Sequence, residues 1–261
     1  MKALYIASTG MSAQERNVEV ISNNIANMRT TGYKRQRAEF EDLLYQQITR
    51  AGAQTSDQGT MIPAGLEIGS GVRTVSTPRI MSQGNVNITE RELDVAIRGE
   101  GFLMVTMPDG RTAYTRDGSL ERDAEGTLVN SSGYPLDPGI TIPGNATAVS
   151  ISPDGTVSAY LDNESTPTQL GQLQLARFVN KSGLESLGDN LFGETPASGP
   201  AQVSTPASEG TGNLLQNYLE MANVNSVTEI ADLIAAQRAY EMNARVISGA
   251  DEMMQATSQL R

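Results

Sequence analysis

Thirty carboxylates stand in this chain beside no histidine and no cysteine. That inventory removes thiolate nucleophiles, Ser-His-Asp triads, imidazole bases and the usual zinc ligands. Carboxylate, lysine or tyrosine acid–base chemistry remains. Glu90 with Glu92 and Asp251 with Glu252 are candidate carboxylate pairs. A glycosidase that opens cell wall would need such a pair across a sugar cleft. With so many acids, some pairs arise without function, and there is no Trp to stack on a sugar. Gly99-Glu100-Gly101 follows a strand-like run, but no third glycine and no helix complete a dinucleotide loop. Asp109, Asp117, Asp123 and Asp154 sit in or beside turn signals, where aspartates commonly satisfy local backbone groups. No segment has the alternating acids and distal Glu of a Ca²⁺ loop. Lys34-Arg35-Gln36-Arg37 reads as a solvated helix end or as partners for Glu39, Glu41 and Asp42. No catalytic, cofactor or metal residue is assigned.

The net charge of −11 over 261 residues disfavours nucleic acid. Residues 1–37 hold six basic side chains against Glu15 and Glu19, so they carry +4 and leave −15 elsewhere. Such asymmetry suits a chain whose end and body meet different neighbours. A hydrophobic fraction of 38% with four Phe fits an extended or oligomerising protein better than one compact globule. The absence of cysteine leaves the redox compartment open. The N-terminus lacks the pattern of a secretory signal, and no run nears the roughly 20 apolar residues that span a bilayer.

Those residues must be carried by elements. Leu4, Met11, Val18 and Ile25 recur every seven positions; Ala7, Gln14, Ile21 and Met28 follow each by three. This a/d pattern predicts a helix of about 28 residues, about 40 Å long, with a narrow apolar stripe that needs a partner. Gly32 is the expected stop. Near the other end, Ser226 and Glu229 have capping-box spacing. Leu233, Tyr240, Ile247 and Met254 then repeat every seven, with Ile230, Gln237, Ala244 and Asp251 between them. The two seams can pair with each other and with further copies.

Between them the chain reads as β. Asp94–Arg98, Phe102–Met107, Thr156–Tyr160 and Gln172–Val179 are strand-like, and turn signals such as Pro108-Asp109-Gly110 separate them. Residues 193–213 are rich in Gly, Pro, Ser and Thr and read as a return linker. Residues 46–72 are too long and Gly-rich for an ordinary connection; a long hairpin or arm reaching a neighbour would explain them. The expected fold is α+β: long terminal helices pairing in a coiled-coil-like bundle, a long extended arm, and a central antiparallel β domain. The divisions are 1–37, 38–72, 73–215 and 216–261.

Specific segments carry a resemblance. Ser22-Asn23-Asn24-Ile25-Ala26-Asn27 with Thr31-Gly32-Tyr33-Lys34 is similar to the N-terminal signature of flagellar rod and hook proteins. Ala222-Asn223-Val224-Asn225-Ser226-Val227 with Ala239-Tyr240-Glu241-Met242-Asn243 resembles their C-terminal one. Gly99-Glu100-Gly101-Phe102 and Tyr114-Thr115-Arg116-Asp117-Gly118 match in the middle. Lys34–Tyr45, Gly65–Val72 and Gly183–Leu191 resemble the distal-rod branch. The arm, with Ile62, Pro63, Gly65, Leu66, Ile68 and Gly69, separates it from the hook protein, and a proximal rod protein is the nearest rival. Met28 departs from the small or valine residue common there.

The resemblance implies a subunit of a straight helical rod, exported unfolded by the flagellar type III apparatus without a cleaved signal peptide. Its ends would order on assembly. Its partners would be copies of itself, proximal rod proteins, hook protein, and the peptidoglycan and outer-membrane ring proteins, with no nucleic acid and no small-molecule substrate. It would lie in the basal body, from periplasm to outer membrane. A secreted carboxylate-dependent cell-wall hydrolase is the alternative from another class.

Overall fold

A computed structural model describes residues 2–52, 63–162, 166–208 and 210–259. Two helices sit at the chain ends, α1 (Lys2–Ala26) and α2 (Ser226–Gln259), and the chain between them forms antiparallel strands. The class is α+β. Two compact units result: one from residues 1–25, 36–78 and 226–261, the other from 26–35 and 79–225. Among the described residues no helix is long and apolar enough to cross a membrane.

The second unit is built on strand alternation. In the strand Phe102–Thr106, Leu103 and Val105 point into one core with Val95, Ile97, Leu120, Leu128, Ile142 and Leu175. Phe102 and Met104 point the other way, toward Tyr114, Phe178, Leu184 and Phe192. A period of two thus makes one strand serve two cores. Phe102 meets Phe178 and Phe192 edge-on, each with centroids 5.9 Å apart. The main sheet runs in the order 185–188, 191–193, 112–115, 102–106, 175–177, 202–204. A three-stranded sheet, 146–151, 156–161 and 168–172, covers the first core. Asp109, Asp117, Asp123 and Asp154 each accept a backbone N–H within their own turn.

The expected return linker, 193–213, is more structured than its composition suggests. Gln202–Ser204 forms an edge strand against Leu175–Arg177. Ser and Thr hydroxyls close the turns on either side, as Ser198 Oγ does on Thr195 O and Ser208 Oγ on Thr205 O. Side-chain-to-backbone bonds of this kind order a Gly/Pro-rich stretch without apolar periodicity.

In the first unit, the strand Glu39–Asp42 pairs with Val72–Ser76, and Gln46–Thr49 with Leu66–Ile68. Both ladders are antiparallel and belong to one hairpin, so the Gly-rich segment is β at its base. Thr9 of α1 holds that base: its hydroxyl donates to Ile6 O and accepts from Val72 N–H at 3.3 Å. Gly71 has φ +111, and a Cβ there would sit 2.2 Å from Thr9 Oγ1.

Helix α1 is shorter than the heptad count predicts. It ends at Ala26, so Met28 lies beyond it and is 37% exposed. Asn27 takes over the chain at that point: its carbonyl accepts from Thr30 N–H and its side chain from the Thr30 hydroxyl. Gly32 is therefore not the helix stop but a separate turn with φ +69.

Candidate functional site

Two constellations collect the residues singled out from sequence, one in each unit. In the first unit, α1 and α2 touch at both small and polar positions. A Cβ on Gly10 would lie 2.9 Å from the Asn243 side chain, so glycine admits this approach. Asn24, buried in α1, accepts from Gln36 N–H at 2.9 Å, donates to Gln36 O at 2.8 Å, and donates to Glu229 Oε2 at 3.1 Å. One side chain thereby joins the end of α1, the returning chain and the first turn of α2. Contacts pair early α1 with late α2 and the reverse, so the helices run in opposite directions.

The buried column of α2 is Glu229, Ala236 and Ala250, with half-buried Asn243 in step. It lies one residue before the predicted column Ile230, Gln237, Ala244 and Asp251. One residue is about 100° of helix, which leaves Gln237 and Asp251 exposed and makes Glu229 and Asn243 the polar members of the column that faces α1. Leu233 and Ile247 are half-buried, Tyr240 and Met254 are exposed at 45% and 39%, and Ile230 at 48%. On α1, Ile21 is buried, whereas Leu4, Met11, Val18 and Ile25 are half-buried. Grooves between the helices are lined by Leu4, Ala250 and Met254 at one end, and by Val18, Gln237 and Tyr240 further along. Asn23 and Glu241 are exposed, and Glu241 lies along the second of these grooves.

On the hairpin, Pro63, Gly65 and Leu66 are exposed, while Ile68 and Gly69 are half-buried, with Gly69 against the Tyr45 ring. Ile62 lies outside the described residues.

The second constellation was not legible as such. The basic cluster expected in solvent splits. Arg37 pairs with Glu39 at 2.8 Å in the open. Lys34 instead is buried, its Nζ 2.5 Å from Glu220 Oε1 and 2.9 Å from Ser82 O. Arg116, also buried, brings Nη1 to 3.4 Å from Glu220 Oε2, donates to Gly99 O at 2.7 Å, and lies over the Phe102 ring. Burial outweighs the attraction of Glu220 and holds the Lys34 ammonium below the ordinary lysine value. The same desolvation acts on Arg116.

Gly32 lies flat on this site. A Cβ there would come 2.7 Å from Arg116 C and Asp117 N, and its N–H donates to Glu220 O. Tyr33 is buried under Arg79, whose guanidinium also faces Phe192. Asn223 accepts from Arg35 N–H at 2.8 Å and donates to Ile80 O at 2.7 Å. Val224 and Asn225 follow it toward α2, half-buried and exposed. Three segments distant in sequence thus interlock: Thr31–Lys34, Arg116–Gly118 and Glu220–Asn223. Only long-range pairing shows this, so a local spacing rule could not have found Glu220.

Neither constellation converges perturbed carboxylates on a cleft; both are packing devices. Comparison with known proteins agrees. Family models match residues 4–34 (flagella basal body rod protein), 96–159 (flagellar hook protein FlgE/F/G D1 domain) and 215–260 (flagellar basal body rod FlgEFG protein, C-terminal). The chain is 55% identical to the flagellar basal-body rod protein FlgG of Caulobacter vibrioides over all of both chains. It is 44% identical to the protein of that name from Borreliella burgdorferi, over 100% of this chain and 99% of the other. The FlgG of Bacillus subtilis is 36% identical over the same shares. The chain belongs to the flagellar basal-body rod protein family. It is a structural protein and not an enzyme, which sets aside the hydrolase alternative.

Proposed function

We propose that this chain is a subunit of the distal part of the flagellar rod, polymerising into a straight, stiff tube that carries motor torque to the hook. One observation carries the assembly reading. The first unit leaves apolar side chains in water on two elements: Val227, Ile230, Ile234, Met242, Val246 and Met253 on α2, and Leu44, Tyr45, Ile48 and Leu66 on the hairpin. Exposed apolar side chains gathered on two elements of one unit suit a surface that a partner covers.

In this reading α1 and α2 form a coiled-coil-like inner bundle, and residues 1–37 and 216–261 supply the core of the tube. The 38–72 segment acts as an arm that bridges neighbouring copies. Leu4, Met11, Val18, Ile25, Leu233, Tyr240, Ile247 and Met254 become buried when copies stack. The contact is heterologous and open, which yields a filament rather than a closed ring. Proximal rod proteins, hook protein, and the peptidoglycan and outer-membrane ring proteins are the flanking partners. The flagellar type III apparatus delivers the chain, without a cleaved signal peptide, to a position from periplasm to outer membrane.

Deleting residues 46–68 tests the arm. The deletion is expected to give a bent or hook-like polymer in electron micrographs. Straight, stiff tubes from the deleted chain would reject it.

A further inference from the structure

Lys34 and Glu220 are 186 positions apart in sequence, yet each is almost completely buried against the other. Two cations, Lys34 and Arg116, converge on this one carboxylate among the described residues. Without Glu220 the docked state would hold two buried like charges. Removing one partner of a buried pair is strongly unfavourable, whereas replacing the whole pair with apolar groups is often neutral. That asymmetry makes the two ends of the relationship unequal. Glu220 can be held by Arg116 and by the Gly84 N–H, at 2.8 Å, whether or not Lys34 is present. Lys34 has no comparable hydrogen-bonded substitute for Glu220; among the described residues its other acceptor is a neutral carbonyl, Ser82 O.

Backbone bonds tie the same segments. Gly32 N–H reaches Glu220 O, and Arg35 N–H reaches Asn223 Oδ1. Gly32, Lys34 and Arg35 therefore each use an acceptor that comes late in the chain, beside earlier contacts with residues 79–82.

We infer that Glu220 licenses the docking of residues 26–35 onto the β unit, so that a chain delivered N-terminus first keeps this segment undocked until residue 220 has emerged. The β strands between 102 and 193 can pair among themselves in the meantime, since their ladders involve neither Lys34 nor Glu220. The device delays commitment of the N-terminal segment, and it applies equally to synthesis and to threading through a channel. It does not depend on what the folded subunit assembles into.

Hydrogen exchange on the full-length chain and three full-length variants tests this: E220Q, K34M, and K34M with E220Q. The readouts are the Gly32 and Arg35 amides, with Leu103–Val105 as the internal reference. E220Q is expected to speed exchange at Gly32 and Arg35 on the order of 100-fold, with a far smaller change at the reference. K34M alone is expected to stay within about tenfold of the parent at all sites. Adding K34M to E220Q is expected to recover part of the lost protection, since one of the two buried cations is removed while Arg116 stays without its carboxylate. Parental protection in E220Q would overturn the inference. So would a double variant no better protected than E220Q, and that comparison still decides the matter if E220Q loosens the whole unit.

Discussion

At the residue scale, small and polar side chains do the positioning. Gly32 is held at φ +69 against the backbone of Arg116 and Asp117. An added methyl meets both a left-handed backbone and main-chain atoms that cannot swing aside. Gly32→Ala should therefore destabilise the β unit by about 1–3 kcal/mol, seen as a lower urea midpoint at unchanged slope. An unchanged midpoint would show that the turn relaxes. Asn24 supplies three hydrogen bonds from a buried site in the first unit. Replacing it with Leu leaves the Gln36 backbone groups and Glu229 without it, at about 1–3 kcal/mol for each buried group left unpaired. Faster amide exchange at Gln36 and in the first turn of α2 is the expected signature. Neither effect could be weighed from sequence, because a signature asparagine does not show what it binds.

At the element scale, the two helices and the β region were legible and their registers were not. Heptad spacing in 4–25 and 233–254 placed the helices, since an apolar stripe at that period has few other uses. The stripe did not say which column faces the partner helix. Ala236, Asn243 and Ala250 occupy the close contact because small side chains let backbones approach, and a hydrophobicity count passes over them. The end of α1 was misplaced because the heptad count runs on to Met28, whereas the backbone turn from Asn27 to Thr30 already leaves the helix. The second core was invisible because Phe102, Tyr114, Phe178 and Phe192 come together only through sheet order. Phe178→Ala, which empties that cluster, should cost about 3–5 kcal/mol in the urea unfolding of the β unit. A cost below about 1 kcal/mol would mean that this cluster adds little to the unit.

At the scale of the whole molecule, the chain divides its labour. The β unit carries its own cores, and the helical unit keeps apolar surface in water. The periodicity of the ends pointed to the two helices, but it did not show that residues 26–35, with Arg29, Lys34 and Arg35, belong to the β unit. The Lys34–Glu220 pair was not legible either, because its partners share no local pattern. A subunit built this way should be sensitive to charge on its helices without losing its fold. Burying one Ile contributes about 1.5–3 kcal/mol per contact, and a filament repeats the contact in every copy.

The most direct test is electron microscopy of the purified chain beside Ile247→Asp, with the urea unfolding of each recorded in parallel. The parent chain should form straight tubes; the variant should remain unassembled with its β unit unfolding at the parental midpoint. Straight tubes from the variant, or a parent that stays monomeric at high concentration, would contradict the account of a rod held together by its helical ends.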